Sequence, residues 1–146
     1  MSKIKDMIKA NEGTGPIKND RFMPYQDTVK KWTIGYGRNI TDCGISLEEA
    51  EILLEGDIND VVLALDHSIS WWRDKPENVQ LVLQDLCFNM GISTLMTFKN
   101  TLLLINLGHY KDAADSLQKT KYHKDVPLRA LRNEALLRDA EKEFGV

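Results

Sequence analysis

Two carboxylates and a hydroxyl near the N-terminus are the side chains in this sequence best suited to chemistry. Glu12 ends a short run of apolar and basic residues, and Asp27 and Thr33 follow within residues 25–39. Glycoside hydrolysis uses one carboxylic acid to protonate the departing oxygen and a second carboxylate to activate water or attack the sugar. Glu12 and Asp27 can fill these roles. Because the chain has 22 acidic residues, the pair alone is weak evidence for hydrolysis.

The residues before Glu12 predict a short amphipathic helix over about residues 3–12. Ile4, Met7 and Ile8 recur at helical spacing, and Gly13 is a natural stop. Glu12 would then lie in the last turn, where the negative end of the helix dipole disfavours an ionised carboxylate. This position favours a protonated acid. A solvated glutamate at a helix C-terminus is the alternative that position alone leaves open.

The segment that contains Asp27 and Thr33 has the signals of a small sheet. Residues 14–24 are rich in glycine, proline, asparagine and aspartate, so they predict a loop that borders a cleft. Strand-favouring residues then follow, and Gly35 and Gly37 permit bends and close approach of the backbone. Residues 25–40 are therefore predicted to form two or three short strands.

The rest of the sequence predicts helices. Ser46 and Glu49 form a capping box before a long periodic apolar run, which predicts the longest helix, over about residues 46–68. Four further helices are predicted. The first starts at Pro76, the second is one central helix over residues 95–107, and the third covers residues 110–119. The last starts at Pro127, after a loop over residues 121–126. The apolar face of the last helix is predicted to comprise Leu128, Leu131, Ala135, Leu136, Ala140 and Phe144.

These elements predict an α+β fold in a single domain spanning residues 1–146. A small β-containing N-terminal lobe of about residues 1–45 is joined by the linking helix, about residues 46–68, to a helical lobe of about residues 69–146. The composition, with 42% hydrophobic and 28% charged residues, is that of an ordinary globular protein.

Charge and hydropathy exclude several classes of function. A net charge of −3 offers no basic field for nonspecific binding of nucleic acid or for attachment to an anionic membrane. Neither a signal peptide nor a transmembrane run is evident, so we expect accumulation in the cytoplasm and no membrane insertion. If the substrate lies outside the membrane, a separate permeabilising factor must release the protein.

Cysteines and histidines give no sign of a metal site or a disulfide framework. Cys43 and Cys87 are isolated from each other and are expected to be reduced. His67, His109 and His123 have no metal-ligand spacing, and no P-loop, dinucleotide fingerprint or nucleophile elbow is present. We therefore expect no cofactor and no metal.

Three motifs together resemble the phage-type lysozymes, or endolysins, of glycoside hydrolase family 24. They are NEG at residues 11–13, YQDT at residues 25–28 and WTIGYGRN at residues 32–39. The resemblance continues through GISLEEAEILLEGDI, CFNMG and TFKNTLL to the segment at Pro127, so it covers most of the chain. It implies a lysozyme-like fold and a catalytic set of Glu12, Asp27 and Thr33.

The resemblance implies a muramidase that hydrolyses the β-1,4 bond between N-acetylmuramic acid and N-acetylglucosamine in bacterial peptidoglycan. Glu12 would be the general acid, while Asp27 and Thr33 would position water. Carboxyl groups about 6.5 to 9.5 Å apart indicate inversion, and a separation of about 5 to 5.5 Å indicates retention. A lytic transglycosylase and a catalytically silent glycan-binding module are the alternatives. A monomer, a lytic role for a phage or prophage, and a holin-like releasing factor are also implied.

Other residues match family positions that contact substrate or support the acid. The implied sugar contacts are Phe88, Asn89, Thr101, Ser116 and Asn39. Packing in the core is an equal alternative for Phe88. Arg129 matches the basic partner of the catalytic glutamate, with Arg132 one turn later. Arg38 is expected to form a structural salt bridge with Asp57, and Trp71 and Trp72 are expected to pack rather than stack on sugar.

The chain also departs from the best-known members of the family at the rim of the cleft. The loop between Glu12 and Asp27 is longer, and the segment between Gly37 and Ser46 is much shorter. Together these departures alter the cleft rim, so the resemblance predicts the chemistry more firmly than the substrate preference.

Overall fold

The computed structural model describes residues 2–145, which form two compact units. The first, here called the N-terminal unit, ends at Ile52, and the second, the helical unit, begins at Leu53. The boundary lies inside one long helix, Leu47–Ser68. A small antiparallel sheet region precedes this helix and helices follow it, which confirms the predicted α+β fold.

The N-terminal unit consists of two short helices and five very short strands among the described residues. In chain order they are α1 (Lys3–Glu12), β1 (Ile17–Lys18), β2 (Arg21–Phe22), β3 (Tyr25–Gln26), β4 (Trp32–Ile34), β5 (Arg38–Asn39) and α2 (Ile40–Cys43), followed by the start of α3 (Leu47–Ser68). β1 and β2 form one antiparallel hairpin, and β3, β4 and β5 form a three-stranded antiparallel sheet with β4 in the centre.

Helix α1 has the predicted bounds. The Ser2 hydroxyl accepts a hydrogen bond from the Lys5 amide at 3.3 Å, and Gly13 ends the helix with a φ of 68°. None of the residues of α1 is buried. Because most helical stability in proteins comes from packing of an apolar face, this helix depends on a few side-chain contacts for its position.

The predicted loop at residues 14–24 is partly wrong, since it contains the β1–β2 hairpin. Asn19 and Asp20 turn the chain with φ values of 51° and 59°. Positive φ at both central residues is the geometry of a two-residue hairpin turn, and asparagine and aspartate tolerate it better than other non-glycine residues. Helix α2 was also missed. It is capped by the Asn39 side chain, which accepts a hydrogen bond from the Asp42 amide at 3.0 Å.

The predicted capping box at the start of α3 is confirmed, whereas the predicted partner of Arg38 is wrong. The Glu49 amide donates to the Ser46 hydroxyl at 3.0 Å, and the Ser46 amide donates to the Glu49 carboxylate at 2.9 Å. Arg38 pairs with Glu49, not Asp57, at 2.8 Å. The hydrogen bond from Arg38, and then those from Ser46, lower the pKa of Glu49 to about 2.

Among the described residues, the helical unit contains the remainder of α3, a short 3-10 helix (Trp72–Asp74) and six further α-helices. They are α4 (Glu77–Met90), α5 (Ile92–Leu95), α6 (Lys99–Asn106), α7 (Tyr110–Gln118), α8 (Lys121–Asp125) and α9 (Pro127–Phe144). Helix α9 packs against α4, α7 and α8, and α6 packs against α7. Within residues 2–145, every buried hydrophobic side chain lies between Val61 and Ala140. This unit therefore contains the core.

Two predictions about helix continuity are wrong. Residues 95–107 do not form one central helix, because the chain turns between α5 and α6 and Leu103 and Leu107 are exposed. The Thr97 hydroxyl donates to the Thr94 carbonyl at 2.6 Å, a local bond that competes with helix continuation. The predicted loop at 121–126 is instead mostly the short helix α8, capped by Thr120.

The predicted apolar face of α9 is confirmed at Leu136, which packs against the core, and at Ala140, which is buried, but it is otherwise wrong. Leu128 and Leu131 are exposed, whereas Asn133 and Glu134 are only 3% exposed. The buried polar groups have partners on other elements. Asn133 donates to the Tyr122 hydroxyl at 2.9 Å, and the His123 ring nitrogen Nδ1 lies 2.9 Å from the Glu134 carboxylate.

Tryptophans and cysteines behave as predicted. Trp72 is buried and its indole donates to Asp66 at 2.7 Å, and Trp71 packs against the core. Cys43 is exposed, Cys87 is buried, and both are free thiols. In residues 2–145, no helix combines the length and the apolar character needed to cross a membrane.

Candidate active site

Thr33 lies in the central strand of the three-stranded sheet. It pairs with Tyr25 on β3 and with Asn39 on β5, and its side chain is 5% exposed. Its hydroxyl donates to the Lys31 carbonyl at 3.1 Å. Among the described residues of the N-terminal unit, Thr33 is the only buried one, which fixes its position in an otherwise exposed sheet.

Asp27 follows β3 directly and organises the turn that leads into β4. Its oxygen Oδ1 accepts hydrogen bonds from the amides of Val29 at 2.9 Å and Lys31 at 2.8 Å. The Asp27 amide also donates to the Lys31 carbonyl at 2.9 Å, and Lys30 adopts a φ of 63°. Both Asp27 and Thr33 are thus bonded to Lys31. The turn thus fixes the Asp27 carboxylate by bonds from two backbone amides to Oδ1.

Glu12 lies at the end of α1, with its carboxyl group against Gly37. A methyl group added to Gly37 would lie 2.9 Å from both Cδ and Oε2 of Glu12. Only glycine leaves room for this contact, and Gly37 also adopts a φ of 82°. Gly37 belongs to the turn between β4 and β5, so the structure joins Glu12 to the same small sheet that presents Thr33.

Aromatic residues surround this group. The ring of Tyr25 lies so close to the Cα atom of Gly15 that no Cβ could fit there. The Tyr36 ring meets the Phe22 ring edge to face with 5.3 Å between centroids, and the Lys9 ammonium lies 5.0 Å from the Tyr36 centroid. The glycines at 15 and 37 are therefore explained by close approach of other side chains.

A family model for phage lysozyme matches residues 18–141. The chain belongs to the phage lysozyme family. It is a glycoside hydrolase, a lysozyme-type peptidoglycan hydrolase. Asp27 and Thr33 lie within the matched residues, and Glu12 lies before them.

Several named lysozymes and endolysins are similar in sequence to this chain. The chain is 32% identical over 119 positions to the SAR-endolysin of Enterobacteria phage P21, covering 75% of this chain and 70% of that protein. It is 32% identical over 117 positions to the endolysin of Acyrthosiphon pisum secondary endosymbiont phage 1, covering 77% and 73%. With the probable T4-type lysozyme 2 of Dictyostelium discoideum it shares 26% over 161 positions, covering 90% and 91%.

The other predicted site residues of this phage lysozyme chain lie mainly in the helical unit. Phe88 is 42% exposed, so it is not a core residue, and with Leu54, Ile58, Leu81 and Arg129 it lines a cavity of about 350 Å³. Its ring lies 5.9 Å from the Arg129 guanidinium. The exposed side chain is compatible with the predicted sugar contact.

Arg129 has an acidic partner within the helical unit. Its Nε and Nη2 atoms donate to Asp85 at 2.9 and 2.6 Å, and Asn133 donates to the same carboxylate at 2.9 Å. Partial burial raises the pKa of Asp85, but the Arg129 and Asn133 hydrogen bonds and the Arg129 charge outweigh it, so the pKa is lowered overall. The predicted pairing of Arg129 with Glu12 stays a prediction.

Thr101 and Ser116 form the second predicted polar pair. Their hydroxyls lie 2.8 Å apart, and Asn100 donates to Ser116 at 3.2 Å. Thr101 is buried, whereas Ser116 is partly exposed and lines a cavity of about 320 Å³ with Asn100 and Lys121. Ser116 is therefore the more accessible of the two for a sugar hydroxyl.

The remaining predicted contacts have varied surroundings. Asn89 and Arg132 are exposed, and Arg132 borders a cavity of about 460 Å³. Both ends of the Asn39 amide bond Asp42, so this side chain primarily caps α2. Within the described part of the chain, no group of three His, Cys, Asp or Glu side chains could hold a metal ion.

Sequence reasoning missed the Asp85, Asn133 and Tyr122 network that surrounds Arg129. No local pattern gave a signal for it, because Asp85 and Arg129 are separated by 44 positions in the chain. Only the packing of α4 against α9 brings them together.

Proposed function

We propose that this phage lysozyme is a muramidase that hydrolyses the β-1,4 bond between N-acetylmuramic acid and N-acetylglucosamine. Glu12 is the general acid, and Asp27 and Thr33 position the attacking water. The observation that carries the proposal is the seating of the Glu12 carboxyl group against Gly37, in the turn that continues the strand of Thr33. The Glu12 carboxyl group thus contacts the three-stranded sheet in which Thr33 lies, and Asp27 lies in the turn between two strands of that sheet.

The environment of Asp27 supports its assignment as a fixed carboxylate. Two backbone amides hold Oδ1, so the side chain cannot rotate away without losing both hydrogen bonds. The second oxygen can then accept a proton from the water that attacks the sugar, which is the role of the base in glycoside hydrolysis.

Thr33 supports the same water through its hydroxyl. The hydroxyl donates its proton to the Lys31 carbonyl, which leaves its oxygen lone pairs available as acceptors. Such an oxygen can accept the second proton of a water molecule held by Asp27. Two acceptors direct the water's lone pair toward the sugar carbon, so positioning supplies part of the rate enhancement.

Glu12 acts at the leaving group. In this mechanism its carboxylic acid donates a proton to the glycosidic oxygen as the bond to the anomeric carbon breaks, and water supplies the new hydroxyl.

The two alternatives are a lytic transglycosylase, which cleaves the same bond, and a catalytically silent glycan-binding module, which binds glycan at the same surface. A lytic transglycosylase would need one acid and the sugar's own hydroxyl, so it would have no use for Asp27 and Thr33. A silent glycan-binding module would need none of the three. The two amides that hold Asp27 and the seat of Glu12 on Gly37 favour hydrolysis, because both features fix reacting groups.

Analysis of product ends tests the proposal. Purified peptidoglycan is digested with the wild-type protein, and the released fragments are examined by mass spectrometry. Reducing N-acetylmuramic acid ends are expected. Anhydro ends would identify a transglycosylase, reducing N-acetylglucosamine ends would move the cleavage to the other bond, and undiminished binding with no products would identify a binding module.

The biological setting is part of the proposal. The named endolysin relatives come from phages, and we propose that this chain likewise acts on the wall of a bacterial host, as a monomer, after accumulating in the cytoplasm. A holin-like factor would then permeabilise the membrane. Expression without such a factor is expected to leave cells intact, and their lysis on addition of a permeabilising agent checks this; lysis without the agent would contradict it.

A further inference from the structure

Helix α1 carries the proposed acid but contributes nothing to the core. None of its residues is buried, and its apolar side chains Ile4 and Met7 are each 54% exposed. A helix of this length is not stable by itself in water. The position of the Glu12 carboxyl group against Gly37 therefore depends on contacts between the last turns of α1 and the sheet.

Lys9 makes such a contact. It lies one helical turn before Glu12, and its ammonium is 5.0 Å from the centroid of the Tyr36 ring. Tyr36 directly precedes Gly37, the residue on which the Glu12 carboxyl lies. A cation held over an aromatic face is attracted by the ring's negative quadrupole. The end of α1 therefore contacts the turn between β4 and β5 at two adjacent residues, with Lys9 against Tyr36 and Glu12 against Gly37.

Phe22 contacts the same Tyr36 ring. It meets Tyr36 edge to face, with 5.3 Å between centroids and 62° between ring planes, which is a favourable arrangement of aromatic quadrupoles. Phe22 lies in β2 and pairs in register with Ile17 on β1. The β1–β2 hairpin thereby supports Tyr36 from a segment that follows α1 in the chain.

We propose that Lys9, Tyr36 and Phe22 form a clasp that seats Glu12 on Gly37 and so positions the acid for proton transfer. The clasp rests on the proposed function, because it has a catalytic purpose only if Glu12 is the acid. Its members are positioning residues, since they act through Glu12. Small displacements of a reacting group reduce rate strongly, so a weak clasp has a measurable effect on kcat.

The expected effects are modest for each contact. A cation–π contact at an exposed site and an aromatic pair each shift an equilibrium by about two- to tenfold. Lys9→Met is therefore expected to lower kcat by about two- to fivefold, and Tyr36→Leu, which removes both contacts, by about tenfold or more. Because the change alters the position of the acid rather than the binding of glycan, KM is expected to stay within about twofold.

The test compares variants that keep or remove the clasp. Lys9→Arg keeps the cation, Tyr36→Phe keeps the ring, and Lys5→Met removes a lysine from the same helix without touching the clasp. These three are expected to retain wild-type kcat on soluble peptidoglycan fragments. The double variant of Lys9→Met and Tyr36→Leu is expected to lose no more than Tyr36→Leu alone, because both changes remove one shared contact.

Thermal unfolding of each variant is measured beside its kinetics. If Tyr36→Leu fails to fold, the decision passes to Lys9→Met, which replaces a half-buried lysine of α1 with an uncharged side chain of similar length. Wild-type kcat in Lys9→Met and Tyr36→Leu would overturn the clasp. A raised KM with unchanged kcat would also overturn it, because that result means direct contact of Tyr36 with saccharide.

A parallel assay of Glu12→Gln separates the two proposals. If Glu12→Gln is inactive while the clasp variants keep wild-type kcat, the clasp proposal is wrong and the assignment of Glu12 as the acid holds. An active Glu12→Gln would remove the acid assignment and, with it, the purpose of the clasp. Loss of activity in Lys5→Met equal to that in Lys9→Met would show that helix charge matters and the ring contact does not.

Discussion

The two units of this phage lysozyme differ in what holds their residues in place. In the described part of the N-terminal unit, Thr33 is the one buried residue, and Glu12 and Asp27 are positioned by a glycine and by backbone amides. The helical unit instead contains the whole described apolar core. The residues that stabilise the fold and the residues proposed to do the chemistry therefore lie in separate regions. We expect a substitution in one region to change the stability and a substitution in the other to change the activity.

The largest expected effect on activity comes from Asp27→Asn. Asparagine keeps an oxygen for the Val29 and Lys31 amides but loses the negative charge that accepts a proton from water. We expect kcat to fall by about a hundredfold or more, with the thermal unfolding midpoint nearly unchanged. Steady-state kinetics and a melting curve on the same preparation check this. Wild-type turnover would remove Asp27 from the chemistry.

The largest expected effect on stability comes from Leu86→Ala in α4. Leu86 is fully buried, so the truncation removes transfer free energy and leaves a cavity, at a cost of about 2 to 5 kcal/mol. Activity per folded molecule should not change. Urea unfolding and active-site-normalised turnover measure the two quantities. A loss of kcat in the folded fraction would show that core and site are not separable in this way.

Gly37→Ala sharpens the comparison within the N-terminal unit. The added methyl would meet the Glu12 carboxyl group, so we expect kcat to fall by about tenfold. Gly35→Ala is the matched control, because Gly35 also has a positive φ, 65°, but an added Cβ there meets nothing within 4 Å. Both variants carry the same backbone strain. Equal losses of kcat in the two would assign the effect to strain and not to Glu12.

Asp85→Asn gives the smallest expected effect, in the helical unit. Because the pKa of Asp85 is lowered in the fold, its charge stabilises the protein above about pH 4 and that stabilisation is lost as pH falls through the lower folded pKa. We expect about 1 kcal/mol at neutral pH, since the Arg129 pair is partly exposed. Urea unfolding at pH 7 and pH 3 should show the difference between wild type and variant shrinking in acid.

Local patterns predicted the regular elements of this chain well. The capping box of Ser46 and Glu49, the glycine stop after α1 and the proline start of α9 each act within a few residues of the position they specify. Their physical cause is contained in the sequence nearby. The same holds for the motif residues Asp27 and Thr33, which are both hydrogen-bonded to the backbone of Lys31.

Features that depend on distant partners were not predictable in this way. The buried face of α9 includes Asn133 and Glu134, whose burial is tolerated only because Tyr122, Asp85 and His123 supply hydrogen bonds. A hydrophobic pattern scores both positions as exposed. The partner of Arg38 was missed for a related reason, since Glu49 was assigned to the capping box and serves both groups.

The hairpin β1–β2 was missed because its turn lacks glycine. Asn19 and Asp20 both adopt positive φ, which a reading based on glycine and proline assigns to an irregular loop. The close approach of the Tyr25 ring to Gly15 was likewise visible only in three dimensions. The sequence marked Gly37 as a position that permits close approach, and the structure supplies the Glu12 side chain that requires it.

The most direct test of the central claim is the turnover of Glu12→Gln on purified peptidoglycan. Glutamine preserves the size of the side chain on Gly37 but cannot donate the proton of an acid. The account predicts no detectable cleavage by a variant whose circular dichroism and unfolding midpoint match wild type. Cleavage at the wild-type rate by that correctly folded variant would contradict it.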